Sequence, residues 1–290
     1  MTQTYSPGYQ PLIIIGPARS GTRLVRDWVA RHPLIDKVPY DINYIWRLGN
    51  ESVPHDELEP HMLDSKKVNR IRRAIESYRG KGPFLIEKTV SNCLRVPFVD
   101  AILPNARYIM LLRDGWDVIE STYRQWLAPP EWNYIFKKML KFPLSQAPGY
   151  AFRYAIQTLA KMFGTRSSQN STWGPRYRGI DQDVASKKLI EVCAIQWQLS
   201  VEKSHAALEA LPVQRLMKIR YEDFVDDPIE QLAGVANYLG IDPEPYYKMT
   251  DLSQVSRNNI GKGKRQLTEE DLSLIGPIIK ETMLELGKER

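Results

Sequence analysis

The sequence has few of the residues from which metal centres and disulfide frameworks are built. Its 290 residues include two cysteines and four histidines. Cys93 and Cys193 are about a hundred residues apart, with no histidine or second cysteine near either of them at the spacing of metal ligands. We therefore expect neither a metal site nor a disulfide framework, and a reducing compartment, the cytoplasm, fits this composition best.

Long apolar runs are also missing. The first ten residues, MTQTYSPGYQ, contain no basic segment followed by an apolar one. No apolar run approaches the roughly 20 residues that span a bilayer, so neither export nor membrane insertion is expected. A hydrophobic fraction of 43% is still enough to fill a core, and the length suits a single domain over residues 1–290.

Positive charge is concentrated in two places. Residues 123–178 contain nine basic residues, one acid and a dozen aromatic residues, whereas the rest of the chain is slightly acidic. A second cluster, without an acid inside it, comprises Arg257, Lys262, Lys264 and Arg265. A solvated basic face is the alternative interpretation of the long stretch, but the short cluster lies in a glycine-interrupted segment, which favours anion binding.

Strand and helix patterns alternate along the chain. Continuous apolar runs predict strands buried on both faces at 11–16, 83–88, 106–113 and 213–224. Helical spacing predicts a helix between Gly21 and Pro33 and further helices at 93–103, 116–127, 188–211 and 227–240. This order predicts an α/β fold of three layers, a central parallel sheet flanked by helices, with the basic stretch at about 123–180 as an insertion over the sheet edge.

The segment PLIIIGPARSGTRLV joins the first predicted strand to the first helix. Gly16 and Gly21 have the spacing of a kinase phosphate loop, but Thr22 and Arg23 stand where that loop has its lysine and its metal-binding hydroxyl. Backbone N–H groups and a helix N-terminus would still bind an anion there, with Arg19 and Arg23 supplying charge. A purely structural strand-to-helix turn is the alternative.

A second strand-to-helix junction, YIMLLRDGWDVIEST, has a similar character. Arg113 stands at the carboxyl end of the predicted strand, and Ser121 follows eight residues later on the helix. Ligands of open α/β sheets bind at the carboxyl ends of strands, so this junction predicts a second anion site. The alternative is a surface ion pair between Arg113 and Asp114.

Four segments, in this order, resemble the sulfotransferase superfamily. GPARSGTRLV looks like its 5′-phosphosulfate loop, and LLRDGWDVIES is similar to its 3′-phosphate motif, with Arg113 and Ser121 at the family's spacing. RYEDFVDDP resembles the segment of a tyrosine and two acids after a late strand, and NNIGKGKRQLTEEDL resembles the basic loop that closes over the 3′-phosphate. The likeness runs from residue 12 to residue 285 and is nearest to bacterial, protein-tyrosine and heparan-type members.

The resemblance implies 3′-phosphoadenosine 5′-phosphosulfate as co-substrate and transfer without a metal. The residues it implies for binding this donor are Arg19, Ser20, Gly21, Thr22, Arg23, Arg113, Ser121, Tyr221, Lys262, Gly263, Lys264 and Arg265. Tyr221 would contact the adenine, with a buried core tyrosine as the alternative. Trp173, in WGPRY, would line the donor or acceptor wall.

Transfer of the sulfuryl group also requires a base for the acceptor hydroxyl. The resemblance implies a carboxylate shortly after the HP that ends the first helix, and Asp41 is our candidate. Asp36 and Glu87 are the alternatives, and Val90 stands where cytosolic members have a catalytic histidine. By the same resemblance, Lys88 and Arg19 would stabilise the sulfuryl group or the leaving oxygen.

The acceptor hydroxyl is expected on a carbohydrate, a lipid or a phenol. Aromatic side chains and cations in residues 123–178 suit a sugar or an aromatic group that already carries negative charge. NYIFKKMLKF segregates apolar residues from lysines like an interfacial helix, which would favour a lipid or glycolipid acceptor and peripheral membrane contact. Both interpretations of the acceptor are kept open. The alternatives are a kinase with a degenerate phosphate loop and a nucleic-acid-binding module. No RNA- or DNA-binding motif supports the latter, and the oligomeric state is open.

Overall fold

The computed structural model describes residues 8–128, 173–253 and 255–288. Five strands in these ranges form one sheet of order β2-β3-β1-β4-β5, in which every neighbouring pair is parallel. The strands are β1 (Gln10–Ile15), β2 (Ile35–Lys37), β3 (Phe84–Glu87), β4 (Arg107–Leu112) and β5 (Leu216–Arg220). The α/β class predicted from the alternation of strands and helices is confirmed.

Helices cover both faces of this sheet. Those that the structure describes are α1 (Thr22–Val29), α2 (Asn43–Trp46), α3 (Ser65–Glu76), α4 (Val96–Ile102), α5 (Gly115–Leu127), α6 (Ile180–Ser186), α7 (Leu189–Glu209), α8 (Tyr221–Asp226), α9 (Pro228–Leu239), α10 (Glu244–Tyr247), α11 (Lys262–Gln266) and α12 (Glu269–Lys288). Within the described part of the chain, no helix is both long enough and apolar enough to cross a bilayer.

The central strands are apolar along their length because both of their faces are covered. In β1, Leu12 and Ile14 belong to a core that includes residues of α1 and α9, whereas Ile13 and Ile15 belong to a core built with α5, α7 and α12. All four side chains are almost completely buried. This is the burial expected of a parallel sheet between two helical layers.

The strand order places the two predicted anion sites side by side. β1 pairs directly with β4, with Ile15 opposite Met110. Because all strands are parallel, the loops that follow β1, β3, β4 and β5 all lie at the carboxyl ends of the strands, where ligands of α/β proteins bind.

Some predicted boundaries were wrong. Of the strand predicted at 213–224, only β5 is a strand; Val213–Arg215 forms a 3-10 turn, and Tyr221 begins α8. The helix predicted at 93–103 is a 3-10 turn, Val90–Leu94, followed by α4. β2 was not predicted, because three residues at a sheet edge leave too short a pattern to detect. Residues 129–172, which include most of the predicted insertion and its interfacial helix, lie outside the described residues.

Candidate functional site

The turn between β1 and α1 has the backbone geometry of an anion-binding loop. Arg19 (φ 70°) and Gly21 (φ 97°) both adopt left-handed conformations, which costs a non-glycine residue about 1–2 kcal/mol. Thr22, almost fully buried, begins α1, and no side chain among the described residues caps this helix. Its first N–H groups are therefore available to a ligand, and the helix dipole favours a negative one.

Two residues close this loop tightly. A Cβ atom on Gly16 would lie 2.9 Å from the backbone oxygen of Leu111 in β4, so a side chain there would push the loop off its neighbouring strand. Ser20 is fully buried, and its Oγ and backbone N–H both donate to the carbonyl of Pro17, at 2.6 and 3.3 Å. Both hydrogen-bond donors of Ser20 thus maintain the turn itself.

The guanidinium of Arg113, at the end of β4, lies against the same loop. Its Nη1 donates to the carbonyl of Arg19 at 3.0 Å, and its Nη2 donates to the carbonyl of Asn259 at 2.8 Å. Its Nε is buried and has no hydrogen-bond partner among the described residues. A buried guanidinium whose Nε–H has no acceptor among the described residues suits an anionic ligand at this position.

Arg19 connects the two predicted anion sites. Its Nε donates to the Oγ of Ser121 on α5 at 3.0 Å. The carbonyl of Arg19 accepts from Arg113, so one residue of the first junction contacts both predicted residues of the second. The two junctions are therefore contiguous, and one small ligand can touch both.

The basic segment is held beside this region by Asp117. Its carboxylate accepts the N–H groups of Gly261 at 2.8 Å and of Gly263 at 2.7 Å. A Cβ atom on Gly263 would lie 2.2 Å from the carbonyl of Trp116, an approach that glycine permits. The segment predicted as a loop is the short helix α11, since these bonds anchor its first turn.

Asp117 was not predicted as a site residue. The sequence feature that could have indicated it is its position four residues after Arg113, because one helical turn brings the two charged side chains to within 3.8 Å.

The cations of α11 surround this anchor. Lys262 is half-buried, whereas Lys264 and Arg265 are exposed. Nζ of Lys264 lies 5.8 Å from the centre of the Trp116 ring, and Nη2 of Arg265 donates to the carbonyl of Ile260 at 3.1 Å. These long side chains can reorient toward an anion without disturbing the glycine contacts of the helix.

Tyr221 packs between the first loop and Arg113. A Cβ atom on Gly21 would lie 2.5 Å from the Tyr221 ring, and the Arg113 guanidinium carbon lies 4.2 Å from the centre of that ring. The side chain is 5% exposed and belongs to the core shared with α1 and α9. Its ring thus packs against both predicted anion sites, and a direct contact with adenine stays a prediction.

A second polar group lies at the carboxyl end of β3. Nζ of Lys88 lies 3.7 Å from Oδ2 of Asp41. The Asp41 carboxylate also accepts the N–H groups of Val90 at 3.0 Å and of Asn43 at 3.1 Å. The Asp41 side chain is 22% exposed and that of Lys88 is 11% exposed, so a ligand reaches the pair through Asp41. Burial lowers the pKa of Lys88, and the charge of Asp41 opposes that shift.

Glu87, the last residue of β3, is buried next to this pair. Its Oε1 accepts from the hydroxyl of Thr89, and its Oε2 accepts from Nδ2 of Asn92 at 3.2 Å. Burial raises the pKa of Glu87 to about 7, and the charge of Asp41 adds to the rise. An acceptor hydroxyl has no access to this carboxylate, which disfavours Glu87 as the base.

Asp36 serves the opposite end of the sheet. Its Oδ2 accepts the N–H groups of Gly80 at 2.8 Å and of Gly82 at 2.9 Å, in the turn that precedes β3. Because Lys88 follows β3, the length of that strand separates Asp36 from the Asp41–Lys88 pair. The contacts of Asp36 are structural and disfavour it as the base.

Two arginines of α1 add positive charge near Lys88. Arg23, predicted to bind the donor, is 76% exposed and lies 3.8 Å from Asp27, so its contacts direct it outward from the loop. Arg26, which was not predicted, is buried with its Nη2 2.8 Å from the same Asp27 carboxylate. Besides burial, the charges of Arg26 and Arg23 lower the pKa of Lys88.

A buried ionic network behind Asn92 was also missed. Residues 55–61 look like a polar linker in the sequence, but Asp56 is 2% exposed and accepts from Nη1 of Arg47 at 2.9 Å. It also accepts the N–H of Arg176, which attaches the WGPRY segment. The fully buried Arg95 donates from Nε to Asn92 at 2.9 Å. Burial of these charges depends on pairings that no local pattern reveals.

The predicted role of Trp173 is not decided by these contacts. Its side chain is half-buried, and its carbonyl accepts from Nε2 of Gln196 at 2.9 Å. A place in the donor or acceptor wall stays a prediction.

Comparison with known families identifies the protein class. The family model described as "Sulfotransferase family" matches residues 47–159 and 153–245, which together span more than half of the chain. The chain belongs to the sulfotransferase family. The resemblance stated from the four sequence segments is thereby confirmed, and family membership supports a sulfotransferase enzyme. The matched range begins after the loop at 16–21, so the role of that loop rests on its own geometry.

The relatives compared with this chain are distant. A Caenorhabditis briggsae protein provisionally named a protein-tyrosine sulfotransferase is 24% identical in an alignment 170 residues long, which covers 52% of this chain. The match spans 60% of that relative's length.

Two solved structures share the fold. The sulfotransferase domain from the curacin biosynthetic pathway has a TM-score of 0.52 at 16% identity, covering 95% of this chain and 98% of that one. Sulfotransferase STF9 from Mycobacterium avium has a TM-score of 0.51 at 13% identity, covering 96% of this chain and 77% of that one.

Proposed function

We propose that this sulfotransferase moves a sulfuryl group from 3′-phosphoadenosine 5′-phosphosulfate to an acceptor hydroxyl by in-line displacement. The observation that carries the proposal is the contact of Arg19 with both Ser121 and Arg113. Two separate anion sites would not select this donor, whereas two contiguous ones suit a nucleotide with phosphate groups at its 5′ and 3′ positions.

The hydrogen-bond donors and cations of the protein also suit the charges of this nucleotide. The N–H groups at the start of α1 would hold the 5′ end, as at other helix N-termini that bind phosphate. Nε of Arg113, the hydroxyl of Ser121 and the cations of α11 would hold the 3′-phosphate, which carries a charge of about −1.5 to −2 at neutral pH. The bound donor supplies a sulfuryl group on a phosphate leaving group.

Asp41 is our candidate base. It would take the proton of the acceptor hydroxyl while that oxygen forms its bond to sulfur and the bond from sulfur to the 5′-phosphate oxygen breaks, releasing adenosine 3′,5′-bisphosphate. Lys88, 3.7 Å from Asp41, and Arg19 would stabilise the charge that develops on the transferred group and the leaving oxygen. Positioning and charge stabilisation then supply most of the catalysis, as in phosphoryl transfer.

The acceptor is proposed to be a carbohydrate, a lipid or a phenol, and one that is itself anionic is favoured. Support comes from an excess of positive charge near Lys88: Arg23, Arg26 and Lys37 all pair with the carboxylate of Asp27, and the charges of Arg23 and Arg26 lower the pKa of Lys88. The provisional name of the Caenorhabditis briggsae relative supports the phenol of a tyrosine as one member of the panel to be tested.

The proposal is tested by incubating the protein with donor labelled with radioactive sulfur and a panel of sugars, phenols, lipids and tyrosine peptides. Calorimetric titrations with adenosine 3′,5′-bisphosphate and with ATP–Mg²⁺ accompany it. We expect transfer to at least one acceptor and preferential binding of the bisphosphate. Binding of ATP–Mg²⁺ without binding of the bisphosphate would favour a kinase. The nucleic-acid-binding module would be favoured by binding of RNA or DNA whose affinity falls steeply with salt concentration and is not reduced by the bisphosphate.

A further inference from the structure

A buried hydrogen-bond chain connects Glu87 to the loop that carries Asp41. The hydroxyl of Thr89 accepts the N–H of Ile42 at 3.1 Å, so its single proton is donated to Oε1 of Glu87. Oε2 of Glu87 accepts from Asn92. Both carboxylate oxygens accept from neutral donors, an arrangement that suits the ionised form of Glu87.

Two reciprocal bonds join the segments on which the reaction depends. Ile42 donates its N–H to the side chain of Thr89, and Val90 donates its N–H to the side chain of Asp41 at 3.0 Å. Each segment thus supplies one backbone donor and one side-chain acceptor to the other. The orientation of the Thr89 hydroxyl, and with it the first of these bonds, depends on Glu87 as its acceptor.

Within the part of the chain that the structure describes, the charged groups that interact electrostatically with Glu87 come from three elements. Lys88 follows it at the end of β3, Asp41 lies in the loop after β2, and Arg95 lies at the start of α4. The negative charge of Glu87 favours the cationic form of Lys88, which burial disfavours. Loss of that charge would therefore weaken the positive group next to the candidate base.

Resting on the function proposed above, we propose that Glu87 is a positioning residue for sulfuryl transfer. In its ionised form it orients the Thr89 hydroxyl, which accepts the N–H of Ile42 and so fixes the loop that carries Asp41 beside Lys88. It also keeps the buried Lys88 cationic. Glu87 does not itself contact the acceptor, since it is 1% exposed. Activity should therefore require ionised Glu87, and its titration near neutral pH sets the acidic limit of turnover.

The test compares wild type with Glu87→Gln, which preserves shape and removes the charge, and with Thr89→Val, which removes the linking hydroxyl. The turnover number is measured from pH 5.5 to 9 at saturating donor, together with the affinity for adenosine 3′,5′-bisphosphate. Lys248→Ala is the control, because this exposed residue pairs with Glu244 on α10.

We expect wild-type turnover to fall below about pH 7 and Glu87→Gln to lower it about tenfold or more at pH 8. The decline near pH 7 should be absent in Glu87→Gln but present, at reduced turnover, in Thr89→Val. The affinity of both variants for the bisphosphate should stay within about twofold of wild type, which also shows that they fold. Rescue of turnover by Thr89→Ser would support the role of the hydroxyl.

Wild-type turnover and an unchanged pH profile in Glu87→Gln would overturn this role for Glu87 and leave the proposed function intact. If Glu87→Gln does not bind the bisphosphate, the Thr89 variants decide: wild-type turnover in Thr89→Val would overturn the proposal. If wild type transfers no sulfuryl group to any acceptor, both proposals fail.

Discussion

The carboxylate of Asp117 accepts the backbone N–H of Gly263 at 2.7 Å, although the two residues are 146 positions apart. The same carboxylate lies 3.8 Å from the guanidinium of Arg113. One buried acid on α5 therefore fixes both the cation at the end of β4 and the first turn of the basic helix α11. This arrangement lets the proposed 3′-phosphate site form from two distant parts of the chain.

Replacing Asp117 should weaken donor binding indirectly. In Asp117→Ala, the N–H groups of Gly261 and Gly263 lose their acceptor, so we expect α11 to separate from α5. The dissociation constant for adenosine 3′,5′-bisphosphate should rise about tenfold, equivalent to about 1.4 kcal/mol. Titration calorimetry checks this, with the exposed surface acid Glu244→Ala as control. An affinity equal to wild type would mean that α11 does not contact the nucleotide.

A methyl group at Gly263 should have a similar effect by steric means. In Gly263→Ala the new Cβ would approach the Trp116 carbonyl to 2.2 Å, so the segment must move. We expect weaker bisphosphate binding with little change in melting temperature, because α11 lies at the surface. Gly287→Ala is the matched control, since a Cβ there meets nothing within 4 Å. Equal affinities for the two variants would contradict the prediction.

Arg113 should contribute directly to donor affinity. Arg113→Ala removes the buried donor Nε and the contact with the backbone of Arg19. We expect bisphosphate binding to weaken at least tenfold, roughly 1.4 kcal/mol or more for a charge-assisted bond. Calorimetry on Arg113→Ala and on Lys248→Ala measures the difference. An unchanged affinity would show that the second anion site lies elsewhere.

Asp41 should affect turnover rather than binding. Asp41→Asn retains the shape of the side chain but removes the proton acceptor, so we expect turnover to fall about 10²- to 10⁴-fold. Bisphosphate affinity should be unaffected. Asp36→Asn is the matched control, because it changes an aspartate five residues earlier that serves the turn before β3. If Asp41→Asn retained its turnover and Asp36→Asn lost it, Asp36 would be the base instead of Asp41.

The titration of Glu87 should also be visible in stability. Its pKa is about 7 in the folded chain against an ordinary value of 4.5, so the folded state holds a proton that the unfolded state has lost between these pH values. The free energy of unfolding should therefore fall as pH rises from 4.5 to 7, by about 3 kcal/mol relative to Glu87→Gln. Urea unfolding of both proteins at pH 5 and pH 8 measures this difference. Parallel pH dependences would argue against a raised pKa.

Local patterns were sufficient to predict most of the fold. The apolar runs that became β1, β3 and β4 are continuous because these strands are buried on both faces, and that burial leaves a signal in any window of the sequence. Tyr221 was placed in a strand because an apolar run cannot report where a strand ends and a helix begins. β2 left no signal, since its three residues at the sheet edge require little apolar surface.

Residue types and their spacing within one junction also indicated Arg19, Arg113 and Ser121 as anion-binding candidates, because a strand, a turn and a helix are adjacent in the chain. The tertiary structure alone decided which side chains meet. Asp41 and Asp36 are five residues apart yet serve opposite ends of the sheet, and Glu87 is one residue from Lys88 yet has no access to a ligand. Residue spacing in the sequence describes only neighbours along the chain. The contact partners, burial and pKa of each side chain depend on the strand order, which brings distant segments together at the carboxyl ends of the strands.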